Sequence, residues 1–127
     1  MHSVQAAAQA PQPALDAQRL DCYRVAVQFA AAAAKLVPRG RGDLRSQLSR
    51  AASSIVVNLA EGVGRRARAE RAHFYSIARG SAMECGAVLD LLRSLGLAPV
   101  GPCKEAQWLL VRIVQMLTKL EAQASSR

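Results

Sequence analysis

Apolar residues recur at steps of three and four along most of this chain, the spacing of amphipathic helices that pack side by side. The first such segment predicts a helix from Leu15 to Val37, which ends there because a residue that precedes proline disfavours the helical conformation. One face of this helix is expected to pack against the others, and its members are Leu20, Tyr23, Val27, Ala30, Ala34 and Val37.

A second helix is predicted after the short Arg-Gly turn at 39–42. Asp43 is its expected N-cap, because a carboxylate there can accept a hydrogen bond from a free backbone amide. Gly62 and Gly64 are expected to end it. Its buried stripe is predicted to consist of Leu44, Leu48, Ala51, Ile55 and Leu59.

A third helix is predicted from Ala67 to Leu95. Gly80 and Gly86 lie inside it, and each costs about 1 kcal/mol relative to alanine. We therefore expect a neighbouring backbone to approach closely at these two positions. The apolar seam alternates in steps of four and three through Phe74, Ala78, Ser81, Cys85, Val88, Leu92 and Leu95.

A turn at 96–102 separates this helix from a fourth, predicted from Cys103 to Ala122. Four helices with short connections indicate an all-α, antiparallel up-down-up-down four-helix bundle. We expect the bundle domain to cover 15–124, after a disordered tail at 1–14 that lacks the features of a secretory signal. The seam of the fourth helix is predicted to be Ala106, Leu110, Ile113, Leu117 and Leu120.

The fourth helix is apolar over an unusually wide arc. Residues Leu109 to Leu120 place apolar side chains over roughly 220° of its circumference, whereas a surface helix needs about 100°. Trp108 falls in the remaining arc. Because tryptophan often anchors subunit contacts, we predict that Trp108 lies in the interface of a homo-oligomer.

The composition changes this picture mainly through charge. The chain of 127 residues carries a net charge of +8, and fourteen of its seventeen basic residues are arginine, which binds phosphate in a bidentate manner. Nucleic acid is therefore the predicted partner, with little sequence specificity because aromatic residues are few. The alternative is a protein–protein interaction scaffold with solvated arginines. The predicted binding residues are Arg39, Arg41, Arg45, Arg65, Arg66, Arg68 and Arg71.

Several other classes of protein are disfavoured. No stretch approaches the ~18–20 apolar residues of a membrane span. Cys22, Cys85 and Cys103 lack the spacing of metal ligands, so we expect unpaired thiols in a reducing cytoplasm, no metal and no cofactor. The sequence does not distinguish DNA, RNA and hybrid as ligands.

Polar residues at helical spacing interrupt the second helix. Arg50, Ser54, Asn58 and Glu61 share a face, and an antiparallel third helix brings Ser81 and Glu84 opposite them. We expect a buried seam in which Arg50 pairs with Glu84, and Glu61 with Arg71, to set the helix register.

A catalytic interpretation of the same residues makes Glu61 or Glu84 a general base, with Asn58 and Arg79 as substrate ligands. No nucleophile–base pair, phosphate loop or metal pair accompanies them, so we expect a structural seam and not an enzyme.

Segments 45–62 and 74–85 closely resemble the bacterial four-helix-bundle family first noticed in intervening sequences of 23S rRNA genes. The resemblance implies a four-helix bundle, homopentameric rings and no known enzymatic activity. It also implies kinship with the accessory protein of diversity-generating retroelements, a basic ring that binds nucleic acid and a reverse transcriptase. Expected partners are thus further copies of the chain, nucleic acid, and a reverse transcriptase or other protein. The matching residues are Gln47, Leu48, Arg50, Ala51, Ser54, Ile55, Asn58, Ala60, Glu61, Gly62, Phe74, Ile77, Ala78, Gly80, Ser81 and Glu84.

Overall fold

The protein is a four-helix bundle. A computed structural model describes residues 14–125, and side chains from residue 18 onward. The helices are α1 (Ala14–Ala33), α2 (Gly42–Gly64), α3 (Arg68–Ser94) and α4 (Val100–Ser125), and this part of the chain contains no strand. Each helix packs antiparallel on the next, α4 returns to pack on α1, and the backbones of diagonal helices stay apart. The predicted architecture is confirmed, whereas residues 1–13 of the predicted tail lie outside the described part.

Two helix ends differ from the prediction. The α-helical part of α1 stops at Ala33, and the chain continues in tighter turns in which the amide of Leu36 donates to the carbonyl of Ala33. α4 begins at Val100, so Pro102 lies in its first turn, where its missing amide would have had no helical partner. The turn between α3 and α4 is correspondingly shorter than predicted.

The predicted N-cap of α2 is wrong. The capping position is Arg41, without a side-chain cap, and Asp43 lies inside the first turn of the helix. There the carboxylate of Asp43 accepts two hydrogen bonds from the Arg41 guanidinium, at 3.2 and 3.1 Å. A negative charge in the first turn still favours the helix through its dipole.

The core confirms the predicted stripes of α2 and α4, all of whose members are buried. The predicted face of α1 is wrong at its large residues Leu20, Tyr23 and Val27, which are 49, 38 and 43% exposed, whereas Ala30 is half-buried and Val37 is buried as predicted. In α3, four of the predicted seam residues are buried, Phe74 and Ser81 are half-buried, and Leu95 is half exposed. Tyr75 is buried although it was not predicted to be. None of the described helices has the length and apolarity needed to cross a membrane. The side of α1 that packs inward consists of Cys22, Val25, Ala26, Phe29 and Ala33.

The glycines act differently from the prediction. A Cβ on Gly80 would meet nothing within 4 Å, and one on Gly86 would make only an ordinary contact with Leu110. Gly62 is where the close approach occurs, since a Cβ there would lie 2.7 Å from Cε1 of Tyr75. Gly96, at φ 66°, ends α3, because glycine adopts this left-handed conformation without strain.

Candidate nucleic-acid interface

The seven predicted binding arginines form two separate zones. Zone A comprises Arg39, Arg41 and Arg45 around the α1–α2 connection, and zone B comprises Arg65, Arg66, Arg68 and Arg71 around the α2–α3 connection. Arg45 lies in the first turn of α2 and Arg65 directly follows its last residue, 20 positions later. At a rise of 1.5 Å per residue, the zones are about 30 Å apart. One bundle therefore presents positive charge at both of its ends.

In zone B, Arg65 is partly committed to contacts within the protein. Its guanidinium donates to Oε1 of Glu61 at 2.7 Å, and Cζ lies 5.0 Å from the centre of the Phe74 ring. Both the ion pair and the cation–π contact hold this side chain against the end of α2. Glu61 therefore pairs with Arg65, one helical turn away, and not with Arg71 as predicted.

Arg71 stabilises the connection between α2 and α3 by hydrogen bonds to its backbone. Its Nη1 donates to the backbone carbonyls of Arg65 and Arg66, at 3.2 and 2.5 Å. These carbonyls follow the last residue of α2 and have no helical partner of their own. The geometry makes Arg71 a structural residue of the connection, which holds Arg66 in place.

The outward-facing members of zone B are Arg66 and Arg68, both exposed. Within the described residues, the side chain of Arg66 has no ion pair or hydrogen bond. The segment 65–71 contains four arginines and one acidic residue, Glu70. Zone B therefore retains positive charge after its internal contacts are made.

Zone A also contains one arginine that is paired within the protein and two that are exposed and unpaired among the described residues. Arg41 is paired with Asp43, and its hydrogen bond lowers the pKa of the Asp43 carboxyl, while the carboxylate raises the pKa of Arg41. Arg39 and Arg45 are exposed, and neither has an ion pair in the described part of the chain. Arg39 and Arg45 are thus the two guanidinium groups that zone A can offer to a phosphate.

The polar face of α2 forms a smaller seam than predicted. Ser54 Oγ lies 2.6 Å from Ser81 Oγ, and Asn58 Nδ2 donates to both the carbonyl and the hydroxyl of Ser54, at 2.9 and 3.0 Å. Arg50 and Glu84 are both exposed and form no ion pair, so the predicted contact between them is wrong. The seam fixes the register of α2 against α3 through uncharged groups.

The residues of the catalytic interpretation do not converge. Asn58 faces α3 in the seam, whereas the guanidinium of Arg79 donates to Glu121 of α4 at 3.0 Å. Glu61 and Glu84 are exposed on the surface. No arrangement of a base beside a substrate ligand results from these positions.

The three cysteines are buried free thiols. Burial raises the pKa of Cys22 and of Cys85 to about 12 and also raises the pKa of Cys103, so all three are protonated at neutral pH. No cluster of metal-ligating residues occurs between residues 14 and 125. The thiol is a poor nucleophile and a poor metal ligand.

Two features of the interface had no clear signal in the sequence. The cation–π contact depends on the turn that brings Phe74 under Arg65, nine positions away. The role of Arg71 depends on the direction of carbonyl groups in a connection without regular structure. The periodicity of the sequence predicted the helices and the connection that hold these residues, but it did not predict the cation–π contact or the hydrogen bonds of Arg71.

A family model described as 23S rRNA-intervening sequence protein matches residues 18–119. The match begins in α1 and ends in α4, so it includes both arginine zones and the Ser54–Asn58–Ser81 seam. A search of curated proteins found no significant match.

Proposed function

This chain belongs to the 23S rRNA-intervening sequence protein family, and we propose that it is a non-enzymatic, oligomeric nucleic-acid-binding protein. Binding takes place through phosphate contacts, with little sequence preference. The observation that carries the proposal is three exposed arginines, at the two ends of α2, that have no carboxylate partner among the described residues. They are Arg39, Arg45 and Arg66. The net charge of +8 supplies the long-range attraction.

The contacts determine how binding responds to salt. Arg39, Arg45, Arg66 and Arg68 can each neutralise one phosphate, because the guanidinium matches two phosphate oxygens. Each neutralised phosphate of duplex DNA adds about −0.9 to the slope of log affinity against log salt. Four contacts per chain therefore give a slope of about −3.6.

Low sequence preference follows from the placement of the aromatic residues. Tyr23 lies on α1 and Trp108 lies on α4, and neither helix contains an arginine of the two zones. Zone A begins in the connection that follows α1. Phe74 is half buried below Arg65, and Phe29 and Tyr75 are buried. The two arginine segments, 39–45 and 65–71, contain no Phe, Tyr or Trp, whose exposed rings are the usual means of holding unpaired bases.

Self-association would increase the effect of both zones. Trp108 is the only tryptophan of the chain, and it is 66% exposed. Exposure of a large apolar ring to water is unfavourable, so an assembly that covers Trp108 would be favoured. Copies with parallel bundle axes would repeat each zone along one rim of the oligomer. Tryptophan emission should then shift to longer wavelength when the protein is diluted enough to dissociate.

The second candidate function is an interaction scaffold for another protein, possible partners including a reverse transcriptase. The exposed apolar side chains of α1, α3 and α4 favour it. Three unbridged cysteines are consistent with work in the cytoplasm under either function. The two functions differ in their response to salt, because apolar contacts do not weaken as salt rises.

Fluorescence anisotropy with labelled duplex DNA, RNA and hybrid tests the proposal. At low salt, about 50 mM, we expect binding to each duplex that weakens with the slope given above. Absence of binding to all three would refute the nucleic-acid proposal and leave the scaffold.

Charge-reversal variants locate the contact. Arg66→Glu with Arg68→Glu, or Arg39→Glu with Arg45→Glu, should lower affinity by more than tenfold. The matched control combines Arg112→Glu with Lys119→Glu, two exposed cations of α4 outside both zones, and changes the net charge equally. Equal losses in the control would show that only the total charge matters and would exclude the zones as sites.

A further inference from the structure

α2 connects the two arginine zones and has no unpaired negative charge of its own. Its acidic residues are Asp43 and Glu61. Arg41 binds Asp43 at 3.1 Å, and Arg65 binds Glu61 at 2.7 Å, so an arginine at each end of the helix neutralises the carboxylate of that end. A polyanion can therefore approach α2 over its whole length without repulsion from a carboxylate of this helix.

Arg50 is a further cation on α2, and neither zone includes it. The polar pattern of the sequence assigns it to the seam, but its side chain is exposed and has no ion pair or hydrogen bond within the described residues. It lies five positions after Arg45, which is about 8 Å along the helix. Arg50 therefore extends the positive charge of zone A along α2.

The rest of α2 separates this extended charge from zone B. Residues 51–64 contain no lysine or arginine, and their one acidic residue, Glu61, is paired. This neutral section is about 21 Å long. The exposed cations on and beside α2 thus form two groups with a neutral surface between them.

The spacing of the two groups is close to the repeat of a nucleic-acid duplex. The zones are about 30 Å apart, and one turn of duplex DNA spans about 34–36 Å. Phosphates that face the same side of a duplex recur once per turn, so a straight duplex along α2 presents phosphates to both groups. The flexible arginine side chains can make up the difference of about 4 Å.

A duplex suits two separated groups better than a single strand does. Duplex DNA has a persistence length of about 150 bp, so a duplex of about one turn is a straight rod whose phosphates already have fixed spacing. A flexible strand loses conformational entropy when it is held at two distant points. The second contact therefore costs a duplex less than it costs a single strand.

The face of α2 also remains open in an assembly of several copies. Among the described residues, Val57 is the one exposed large apolar side chain of α2, whereas α1, α3 and α4 each have three. Contacts that cover exposed apolar side chains therefore favour the other three helices. α2 is left accessible to a polar ligand.

We infer that a single duplex lies lengthwise along α2, contacts both zones about one turn apart, and is also bound by Arg50 through a phosphate. The inference rests on the nucleic-acid binding of the proposed function and specifies the form, the orientation and the minimum length of the ligand. The four arginines of the zones alone give a salt slope of about −3.6, and a fifth contact through Arg50 makes it about −4.5.

DNA hairpins with stems of 6, 12 and 18 bp and one common loop test the minimum length by fluorescence anisotropy. A 6-bp stem is about 20 Å long and reaches one group only, whereas a 12-bp stem of about 41 Å reaches both. The slope of log affinity against log salt should steepen from about −2.7 with 6 bp to about −4.5 with 12 bp, and 18 bp should give the same value as 12 bp.

The variant Arg66→Gln, Arg68→Gln is the matched control for length. It keeps the group at zone A and should give a slope of about −2.7 with the 6-bp and the 12-bp stem alike. A variant whose slope steepens with stem length as much as that of the wild type would overturn the inference, because the length effect would then not depend on zone B.

Arg50→Gln tests the additional contact. With the 12-bp stem it should make the slope shallower by about 0.9, while far-UV circular dichroism stays unchanged because the side chain is exposed. Arg112→Gln removes an exposed cation of α4 and should leave the slope unchanged. Equal slopes for Arg50→Gln and the wild type would overturn the contact through Arg50 and with it the lengthwise orientation.

The same titrations separate this inference from the nucleic-acid proposal. Equal slopes for the 6-bp and 12-bp stems in the wild type, or two 6-bp stems bound per chain, would overturn the single lengthwise duplex and leave nucleic-acid binding intact. A 12-nucleotide single strand that binds as tightly as the 12-bp stem would also overturn it. Absence of binding to every stem and strand would instead refute the nucleic-acid proposal itself.

Discussion

Replacing glycine by alanine should have opposite effects at two positions of this bundle. At Gly80, in the exposed middle of α3, an added Cβ meets nothing within 4 Å. The substitution should stabilise the protein by about 0.5–1 kcal/mol, because alanine loses less backbone entropy in a helix. At Gly62 the same substitution should destabilise it.

The magnitude at Gly62 follows from its neighbours. The new Cβ would lie 2.7 and 2.9 Å from Cε1 and Cδ1 of Tyr75 and 3.2 Å from Cβ of Phe74. Tyr75 is only 1% exposed, so its ring has little room to move. Overpacking of this kind costs about 1–3 kcal/mol, and the gain in helix propensity offsets about 1 kcal/mol of it. We expect a net loss of up to about 2 kcal/mol for Gly62→Ala.

Urea denaturation followed by far-UV circular dichroism, at one fixed protein concentration, measures both effects. Fixed concentration matters because self-association would contribute to the stability. Tyr75→Leu provides a further check. It replaces the ring that the new Cβ would contact with a smaller side chain, so Gly62→Ala should cost less in that background. A stabilising Gly62→Ala, equal to Gly80→Ala, would refute the packing argument.

Three further predictions concern stability. Arg71→Ala should cost about 1–2 kcal/mol in the same assay, because two carbonyls lose a charged donor; no change would contradict its structural role. Ser81→Ala should lower the free energy of unfolding by about 1 kcal/mol. Ser54→Ala should cost less in the Ser81→Ala background than in the wild type, because the hydrogen bond is then already lost. Equal costs in the two backgrounds would argue against the hydrogen bond. Because burial raises the pKa of Cys22 and Cys85 from 9.0 to about 12, their contribution to stability is complete below about pH 9 and declines as pH rises towards 12. A thiol reagent should therefore label them only after denaturation, and rapid labelling of the native protein would contradict their burial.

The helices that the sequence predicts best are those with one clear apolar face. The stripe of α2 is correct because charged and small polar residues occupy its opposite face, and the stripe of α4 is correct although its apolar arc is wide. α1 lacks this contrast: the large residues Leu20, Tyr23 and Val27 lie on one side, and Cys22, Ala26 and Phe29 on another. The core accepts the side with more small residues, and periodicity alone does not distinguish two apolar faces.

Side-chain partners were harder to predict than helix faces. The antiparallel register correctly placed Ser54 and Ser81 in one seam between α2 and α3, although it set Ser54 opposite Ala78 and did not predict the contact between the two hydroxyls. Arginine is long and can bind several acceptors. Arg65 therefore pairs with Glu61, one turn earlier in the chain, and Arg71 donates to backbone carbonyls. Which arginines remain available to a ligand therefore depends on tertiary structure, even though the two basic segments are evident in the sequence.

The salt dependence of duplex DNA binding in the double variant Arg66→Gln, Arg68→Gln tests the central claim most directly. Loss of two phosphate contacts should reduce the steepness of the log–log slope by about 1.8, and Arg112→Gln with Lys119→Gln should leave the slope unchanged. An unchanged slope and affinity in the Arg66 and Arg68 variant would contradict the account, because it would place the phosphate contacts outside the outward arginines of zone B.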